Sequence, residues 1–263
     1  MATASPNLAV MIAAARKAAR RLIRDFGEVE QLQVSRKGPG DFVSAADRKA
    51  EATLREELLR ARPAYGWLGE ETGEEAGRDG IHRFVVDPLD GTTNFLHGLP
   101  HWAISIALER KGEFVAGVVF DPVKQEMFTA EKGAGAWLND RRLRVSGRRE
   151  LSEMVFVAGM PAISSSRLPD FVRDLTRLGP RCAGLRASGS AALDLAYVAA
   201  GRYDGFWERG LKMWDCAAGA LLVREAGGLL RDLEEEDADP VLTGRILAAN
   251  SEAADPLRDL LRE

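Results

Sequence analysis

The sequence predicts a mixed α/β (α+β) fold: two helices come before any sheet, a run of antiparallel strands follows, and helices alternating with strands close the chain. Three observations carry this. Apolar residues recur at helical spacing through Arg60, four successive strand-like segments lie between 81 and 130, and the pattern changes to alternating elements beyond Gly147.

Leu8, Met11, Ile12, Ala15, Ala19, Leu22 and Ile23 mark the first helix. The segment up to Arg24 is rich in Arg and lacks acids, like an organelle transit peptide, but its regular apolar face reads as a helix of the folded domain. Lys37-Gly38-Pro39-Gly40-Asp41 breaks the periodicity, and Ala50, Leu54 and Leu58 carry a second helix to about Arg60, before Pro63. Segments 81–86, 103–108, 114–120 and 126–130 are short, β-branched or aromatic, and bounded by Gly, Pro or Asp. Gly112 and Asp121-Pro122 suit tight connections between them, which predicts a meander. Later come strands at 154–158, 204–207 and 246–249, and helices at 169–178, 190–200, 216–226 and 255–262, the third closed by Gly227-Gly228. No 20-to-50-residue repeat occurs.

Composition narrows the function. The 263 residues are 46% hydrophobic and 29% charged, with 36 Lys+Arg against 40 Asp+Glu and a net charge of −4. A protein built to neutralise nucleic-acid phosphates would carry a basic excess or stripe, and the basic residues here are interspersed with acids. Cys182 and Cys216 have neither disulfide-framework nor zinc-ligand spacing and are expected to be reduced, in a cytoplasmic protein. Charges interrupt every apolar run before it could span a membrane. The acidic run Glu234-Glu235-Glu236-Asp237 reads as a solvated turn. His82, His97 and His101 lack ligand spacing.

Asp87-Pro88-Leu89-Asp90-Gly91-Thr92-Thr93-Asn94-Phe95 is the most informative stretch. The apolar strand Phe84-Val85-Val86 ends in one carboxylate, and a Pro-assisted turn is expected to present a second three residues later. Two such carboxylates with a backbone carbonyl, that of Leu89, suit Mg²⁺ or Mn²⁺, which keep open positions for water and phosphate. Gly91, Thr92 and Thr93 offer N–H groups and hydroxyls to hold that phosphate. Asp-x-x-Asp alone would be an acidic turn; the nine-residue string makes that reading improbable. The acids Glu70-Glu71 follow the short apolar strand Trp67-Leu68-Gly69, where solvated charges are common. Asp215 precedes a run of small residues and is expected at the N-cap of their helix, where it could cap only or approach a metal cluster.

Together, Asp41-Phe42-Val43-Ser44 with Asp47, Gly69-Glu70-Glu71, the nine-residue string, and Trp214-Asp215 with Glu225-Ala226-Gly227-Gly228 resemble the inositol monophosphatase family of metal-dependent sugar phosphatases. The stretch from Ala191 to Arg202 looks most like its bacterial branch. The resemblance implies a layered αβαβα sandwich. Its portions 1–147, with most metal ligands, and 148–263, with Asp215 and substrate contacts, would form one compact catalytic unit. Carried over by position, it makes Glu70, Asp87, the Leu89 carbonyl, Asp90 and Asp215 the metal ligands. Gly91 and Thr92 become the phosphate cradle, Asp90, Ala191, Glu208 and Asp215 the sugar-hydroxyl contacts, and Asp47 a supporting residue. Basic residues stand at both Arg36 and Lys37, and neither is matched to the family's lysine.

Four carboxylates and a phosphate dianion would place about six negative charges in one cleft, where a like pair about 4 Å apart costs roughly 4 kcal/mol. Two or three Mg²⁺ ions, with Mn²⁺ as the alternative, are therefore expected. The implied reaction is hydrolysis of myo-inositol 1-phosphate or a similar polyol monophosphate by water that Glu70 and Thr92 orient and deprotonate, without a phosphoenzyme. Fructose 1,6-bisphosphate, a nucleotide bisphosphate and histidinol phosphate are the alternative substrates, since Arg186, Arg209 or Lys212 could hold a further phosphate. Aspartyl-phosphate phosphatases separate their two acids by one residue; Asp87 and Asp90 are separated by two. The resemblance also implies a homodimer and a partner in the transcription machinery, for which Arg181, Arg186 and Arg202 could form a surface.

Overall fold

A computed structural model describes residues 4–28, 34–38 and 41–262, with side chains at 4–28 and 45–262. Helix α1 (Pro6–Gly27) starts with Pro6 at a position that needs no N–H donor, while the Ser5 hydroxyl accepts from the Leu8 N–H at 3.2 Å. A two-stranded antiparallel ribbon, β1 (Val34–Gly38) and β2 (Asp41–Ser44), leads into α2 (Ala45–Ala61). Pro39 and Gly40, and the side chains of Arg36, Lys37 and the Asp41-Phe42-Val43-Ser44 motif, lie outside the described residues.

The next strands build the large sheet: β3 (Gly66–Gly69), β4 (Gly73–Glu75), β5 (His82–Asp90), β6 (Ala103–Arg110), β7 (Glu113–Asp121), β8 (Glu126–Glu131), β9 (Gly135–Leu138) and β10 (Arg141–Arg142). Their order in space is β10-β9-β8-β7-β6-β5-β3-β4, so the meander expected from 81 to 130 is its centre. Among the described residues of this sheet, the β3–β5 pair alone is parallel. Lys111 and Gly112, both at positive φ, close the β6–β7 hairpin with the twist that antiparallel strands favour. A short helix, α3 (Thr92–Leu96), sits between β5 and β6.

The rest of the chain alternates β11 (Val155–Ala158), α4 (Leu168–Leu178), β12 (Gly184–Arg186), α5 (Ala191–Ala199), β13 (Gly205–Arg209) and α6 (Met213–Glu225). β14 (Leu229–Asp232), α7 (Pro240–Thr243), β15 (Arg245–Ala249) and α8 (Ser251–Arg262) complete it, and the second sheet runs β12-β11-β13-β15-β14. Helix α8 starts before the expected 255 because Asn250 caps it, accepting the Ala253 N–H at 2.8 Å, and Pro256 is tolerated inside it.

Strand alternation explains the layers. Phe84, Val86, Ile104, Ile106 and Val118 face α1 and α2, while Val85, Ala107 and Val119 face α5 and α6. On the second sheet, Val157, Phe206 and Ala248 face α5 and α6 from the other side, and Phe156, Trp207 and Leu247 face α4 and α8. The result is the αβαβα sandwich, with α5 and α6 buried between two sheets. A helix enclosed on all sides has little room, and these two are rich in Ala, with Gly219 in α6.

Two expectations need correcting. Asp87 to Asp90 is not a turn after the strand but its continuation: β5 runs through Asp90, and the register against β6 slips between Asp87 and Asp90. Pro88 has no N–H to give to a ladder, so it belongs at such a bulge. Strands β1, β2, β4, β9, β10, β12 and β14 were not expected; each has five residues or fewer, too few to show a period.

Helix α6 gives the first prediction. A Cβ at Gly219 would stand 2.6 Å from the Leu195 Cβ of α5. Ala in place of Gly gains about 1 kcal/mol of helix propensity, but overpacking costs about 1–3 kcal/mol. Gly219→Ala should therefore lower stability in a chemical denaturation experiment; an unchanged or raised midpoint contradicts this close packing.

Candidate metal and substrate site

The parallel pairing of β3 with β5 sets the site. Both strands end at the same edge, so Glu70 and Asp87 leave the sheet side by side, and the Glu70 N–H continues the ladder to the Val86 carbonyl at 3.3 Å. The loop after β3 is held from beneath by Glu51 of α2, which is fully buried and accepts the N–H groups of Glu71 (2.8 Å) and Thr72 (2.9 Å) and the Thr72 hydroxyl (2.6 Å). Gly69 permits this approach, since a Cβ there would lie 2.7 Å from the Glu51 Oε1. Glu71 and Glu70 gather with Asp47 of α2, each offering an oxygen within 4.8 Å of the others. Asp47 was anticipated in support; Glu51 was missed, because a buried Glu on a helix has no local signature.

At the bulge, Asp87 is 2% exposed and its Oδ1 accepts the Leu89 N–H at 2.9 Å. Gly91 then adopts φ 94°, a left-handed turn that glycine enters without strain, and α3 begins at Thr92. The Thr92 hydroxyl lies 3.0 Å from the Leu89 carbonyl and 3.3 Å from Asp47 Oδ2, and can give its proton to either. Asp90 turns the other way, towards α5: its Oδ2 accepts the Ala192 N–H at 2.8 Å and the Ser190 hydroxyl, which caps the same helix. Ala191, the first residue of α5, is thereby fixed beside Asp90.

Asp215 is not the N-cap of α6 but its third residue; Lys212 is the cap, and the Asp215 carboxylate reaches back to accept the Lys212 N–H at 2.7 Å. The helix opens three residues earlier than the small-residue run suggests, at Met213, which places the carboxylate inside the first turn.

These acids resist ionisation. Burial raises the Asp87 carboxyl well above its usual range, and Glu70, Asp90, Asp215 and Asp47 each raise it further. Burial raises Asp215 to about 8, with Asp90 next in effect, against the Lys212 N–H that favours the anion. Asp90 stands at about 6, pushed up by burial and held back by Ser190 and the Ala192 N–H. Five carboxylates from α2, the β3 end, β5 and α6 thus compete for negative charge in one place. An all-oxygen, hard and electron-rich donor set of this kind fits Mg²⁺ or Mn²⁺.

Beside it opens a cleft of about 820 Å³ bordered by Asp90, Ala191, Asp194, Glu208 and Asp215, and by the 159–164 loop. Burial, then Asp215 and Asp90, pushes the Glu208 carboxyl well above its usual range. Gly159 faces it so closely that any side chain there would overlap the Glu208 carboxylate. Gly159, Ser190 and Asp194 had not been singled out for the site; only the helix-cap signal of Ser190 was legible. Among the histidines, His82 pairs with Asp79 at 2.7 Å, and His101 Nε2 lies 3.9 Å from Asp194 Oδ1.

A five-layer sandwich with carboxylates gathered at the ends of two parallel strands is the architecture of a metal-dependent phosphatase. The chain belongs to the inositol monophosphatase family, whose model matches residues 4–262. It is 56% identical to the inositol-1-monophosphatase of Rhizobium meliloti (strain 1021), over 98% of this chain and 97% of that one. It is 46% identical to the Nus factor SuhB of Pseudomonas aeruginosa, over 94% and 92%. The crystal structure of the extragenic suppressor protein suhB from Bartonella henselae superposes with a TM-score of 0.93 at 53% identity, covering 97% of both chains.

The raised carboxyl of Asp215 gives a pH prediction. With metal chelated, the folded state keeps a proton on this group between about pH 4 and 8 that the unfolded state has released, so its contribution to stability falls as pH rises through that window. Asp215→Asn should therefore raise the chelated protein's melting temperature over wild type by more at pH 8 than at pH 5. The same increment at both pH values contradicts the crowding described.

Proposed function

We propose that this protein hydrolyses myo-inositol 1-phosphate, or a closely similar polyol monophosphate, in a reaction dependent on Mg²⁺ or Mn²⁺. The observation that supports it most is the convergence of Asp47, Glu70, Asp87, Asp90 and Asp215, each raising the Asp87 carboxyl or raised itself, beside a cleft that Glu208 borders. The metal would be held by Glu70, Asp87, the Leu89 carbonyl, Asp90 and Asp215. When bound, divalent ions would neutralise the charge of the carboxylates and phosphate and make water a stronger nucleophile.

The chain's own groups do the rest. Gly91 and Thr92, at the start of α3, present N–H groups to the phosphoryl oxygens. Because the Thr92 hydroxyl donates to Asp47 or the Leu89 carbonyl, its oxygen is left to accept a hydrogen bond from the attacking water. Glu70, beside Asp47, takes the water's proton. Glu208 and Asp215 accept hydrogen bonds from polyol hydroxyls, with Ala191 fixing that side of the cleft and Asp90 serving both metal and ring. A neutral ring with one phosphate suits a cleft bordered by carboxylates better than a bisphosphate does.

A second role, contact with the transcription machinery, is favoured by the relatives named Nus factor SuhB. Arg181 and Arg186 are exposed and could serve it. Arg202 is less available, since it pairs with Glu126 at 2.7 Å and its guanidinium lies over the Tyr197 ring. Capture of RNA polymerase components by the tagged protein tests this role. A homodimer belongs to the same reading and is read by light scattering. No helix among the described residues is long and apolar enough to cross a membrane.

Phosphate release should be highest from myo-inositol 1-phosphate in a panel with fructose 1,6-bisphosphate, adenosine 3′,5′-bisphosphate and histidinol phosphate. Asp90→Asn should lose about 10³-fold in turnover, or ~4 kcal/mol of barrier, with its melting curve retained. Near-normal turnover in that variant contradicts the assignment of Asp90.

A further inference from the structure

Asn94 has no part in the reaction proposed above, yet its side chain ties three segments of the chain together. It stands in α3, and its Nδ2 donates to two carbonyls, each at 2.8 Å. One belongs to His101, on the way from α3 to β6, and the other to Ser188, in the loop between β12 and α5. A primary amide carries two N–H groups in one plane, and here both go to backbone carbonyls of segments far apart in sequence. The opposite orientation of the amide would set its oxygen against two carbonyl oxygens, so the donor side faces them. An ionised Asp has no donor to offer, and Gln would carry its donors one methylene further out.

Two glycines let the three segments pass this closely. A Cβ on Gly91, at φ 94°, would stand 3.1 Å from the His101 carbonyl and 3.2 Å from that of Gly189. A Cβ on Gly189, at φ 84°, would stand 3.0 Å from Asn94 Nδ2. The loop ahead of α5 is therefore held from the 90–94 segment at two places. Asn94 holds Ser188, and Asp90 holds Ser190 and the Ala192 N–H. Asp90 is also assigned to metal and ring, which draw on the same carboxylate oxygens. The bonds from Asn94 use backbone carbonyls that are assigned to neither. A further contact between these segments, His101 Nε2 to Asp194 Oδ1, spans 3.9 Å and lies beyond hydrogen-bond range.

We propose, resting on the reading of this cleft as a polyol monophosphatase site, that Asn94 is a positioning residue: it fixes the polyol side of the cleft, at Ala191 and the start of α5, relative to the phosphate side, at Gly91 and Thr92. A substrate gripped on both sides needs the two in register, and a shift of about 1 Å between them costs about 10²-fold in rate. An ester held chiefly by its phosphate senses that shift far less. Loss of Asn94 therefore acts through the leaving group of the ester rather than on phosphoryl transfer as such.

Hydrolysis of myo-inositol 1-phosphate and of 4-nitrophenyl phosphate, whose leaving group has no polyol hydroxyls, tests this role in wild type, Asn94→Ala and Asn94→Leu. Hydrogen–deuterium exchange over residues 187–193 gives a readout independent of activity. In both variants kcat/KM should fall about 10²-fold for the inositol ester and stay within about threefold for the nitrophenyl ester. Amides over 187–193 should exchange faster in the variants, and those of β6 to β8 at the wild-type rate. Leu keeps the branched shape of Asn without its donors, so it reads the hydrogen bonds even if Asn94→Ala fails to fold. Equal losses on the two esters, unaltered exchange over 187–193, or a Leu variant that matches wild type overturns the proposal. A wild type that does not hydrolyse the inositol ester contradicts the polyol reading instead, and exchange over 187–193 in the variants then decides whether Asn94 holds that loop.

Discussion

Mutual repulsion among Asp47, Glu70, Asp87, Asp90 and Asp215 is the constraint around which the structure is arranged. Each is an ordinary acid in sequence, and Asp87, Asp90 and Asp215 become reluctant to ionise because the fold buries them beside one another, with Glu70 and Asp47 adding to the effect on Asp87. At an effective dielectric of 20, one like-charged pair about 4 Å apart costs about 4 kcal/mol, comparable to a large part of a domain's net stability. The protein must hold these groups together against that cost, and it does so with neutral hydrogen-bond donors: the Leu89 N–H on Asp87, the Ala192 N–H and Ser190 on Asp90, and the Lys212 N–H on Asp215. Such donors orient the carboxylates without cancelling their charge, which leaves the charge for a divalent ion.

The sandwich supplies the rigidity. Glu70 and Asp87 are set by the sole parallel pair of the large sheet, Asp90 by the start of α5, and Asp215 by the start of α6. Helices α5 and α6 lie between the sheets, and their small side chains let them approach each other and the sheet closely enough for both N-termini to meet the end of β5. The bulge at Pro88 bends β5 where one strand must present two carboxylates, Asp87 towards Glu70 and Asp90 towards α5.

Much of this was legible in the residues. Long periodic elements such as α1, α2 and the β5–β8 meander announce themselves, because many residues vote for the same period. The string from Asp87 to Phe95 points to the proposed chemistry because carboxylates, carbonyl, glycine and hydroxyls are adjacent in sequence. What was hidden depends on distant partners. The bulge cannot be told from a turn without the facing β6, and the capping role of Asp215 depends on where α6 begins rather than on its composition. Glu51 and Gly159 act only through neighbours that are 20 and 49 positions away, Glu71 and Glu208.

Anomalous diffraction from crystals of this protein soaked in Mn²⁺ addresses the central claim directly. The account predicts at least two strong peaks, ringed by the carboxylates of Glu70, Asp87, Asp90 and Asp215 and adjoining the Leu89 carbonyl. Well-ordered crystals in which these side chains surround no peak, or in which manganese gathers elsewhere, would contradict it.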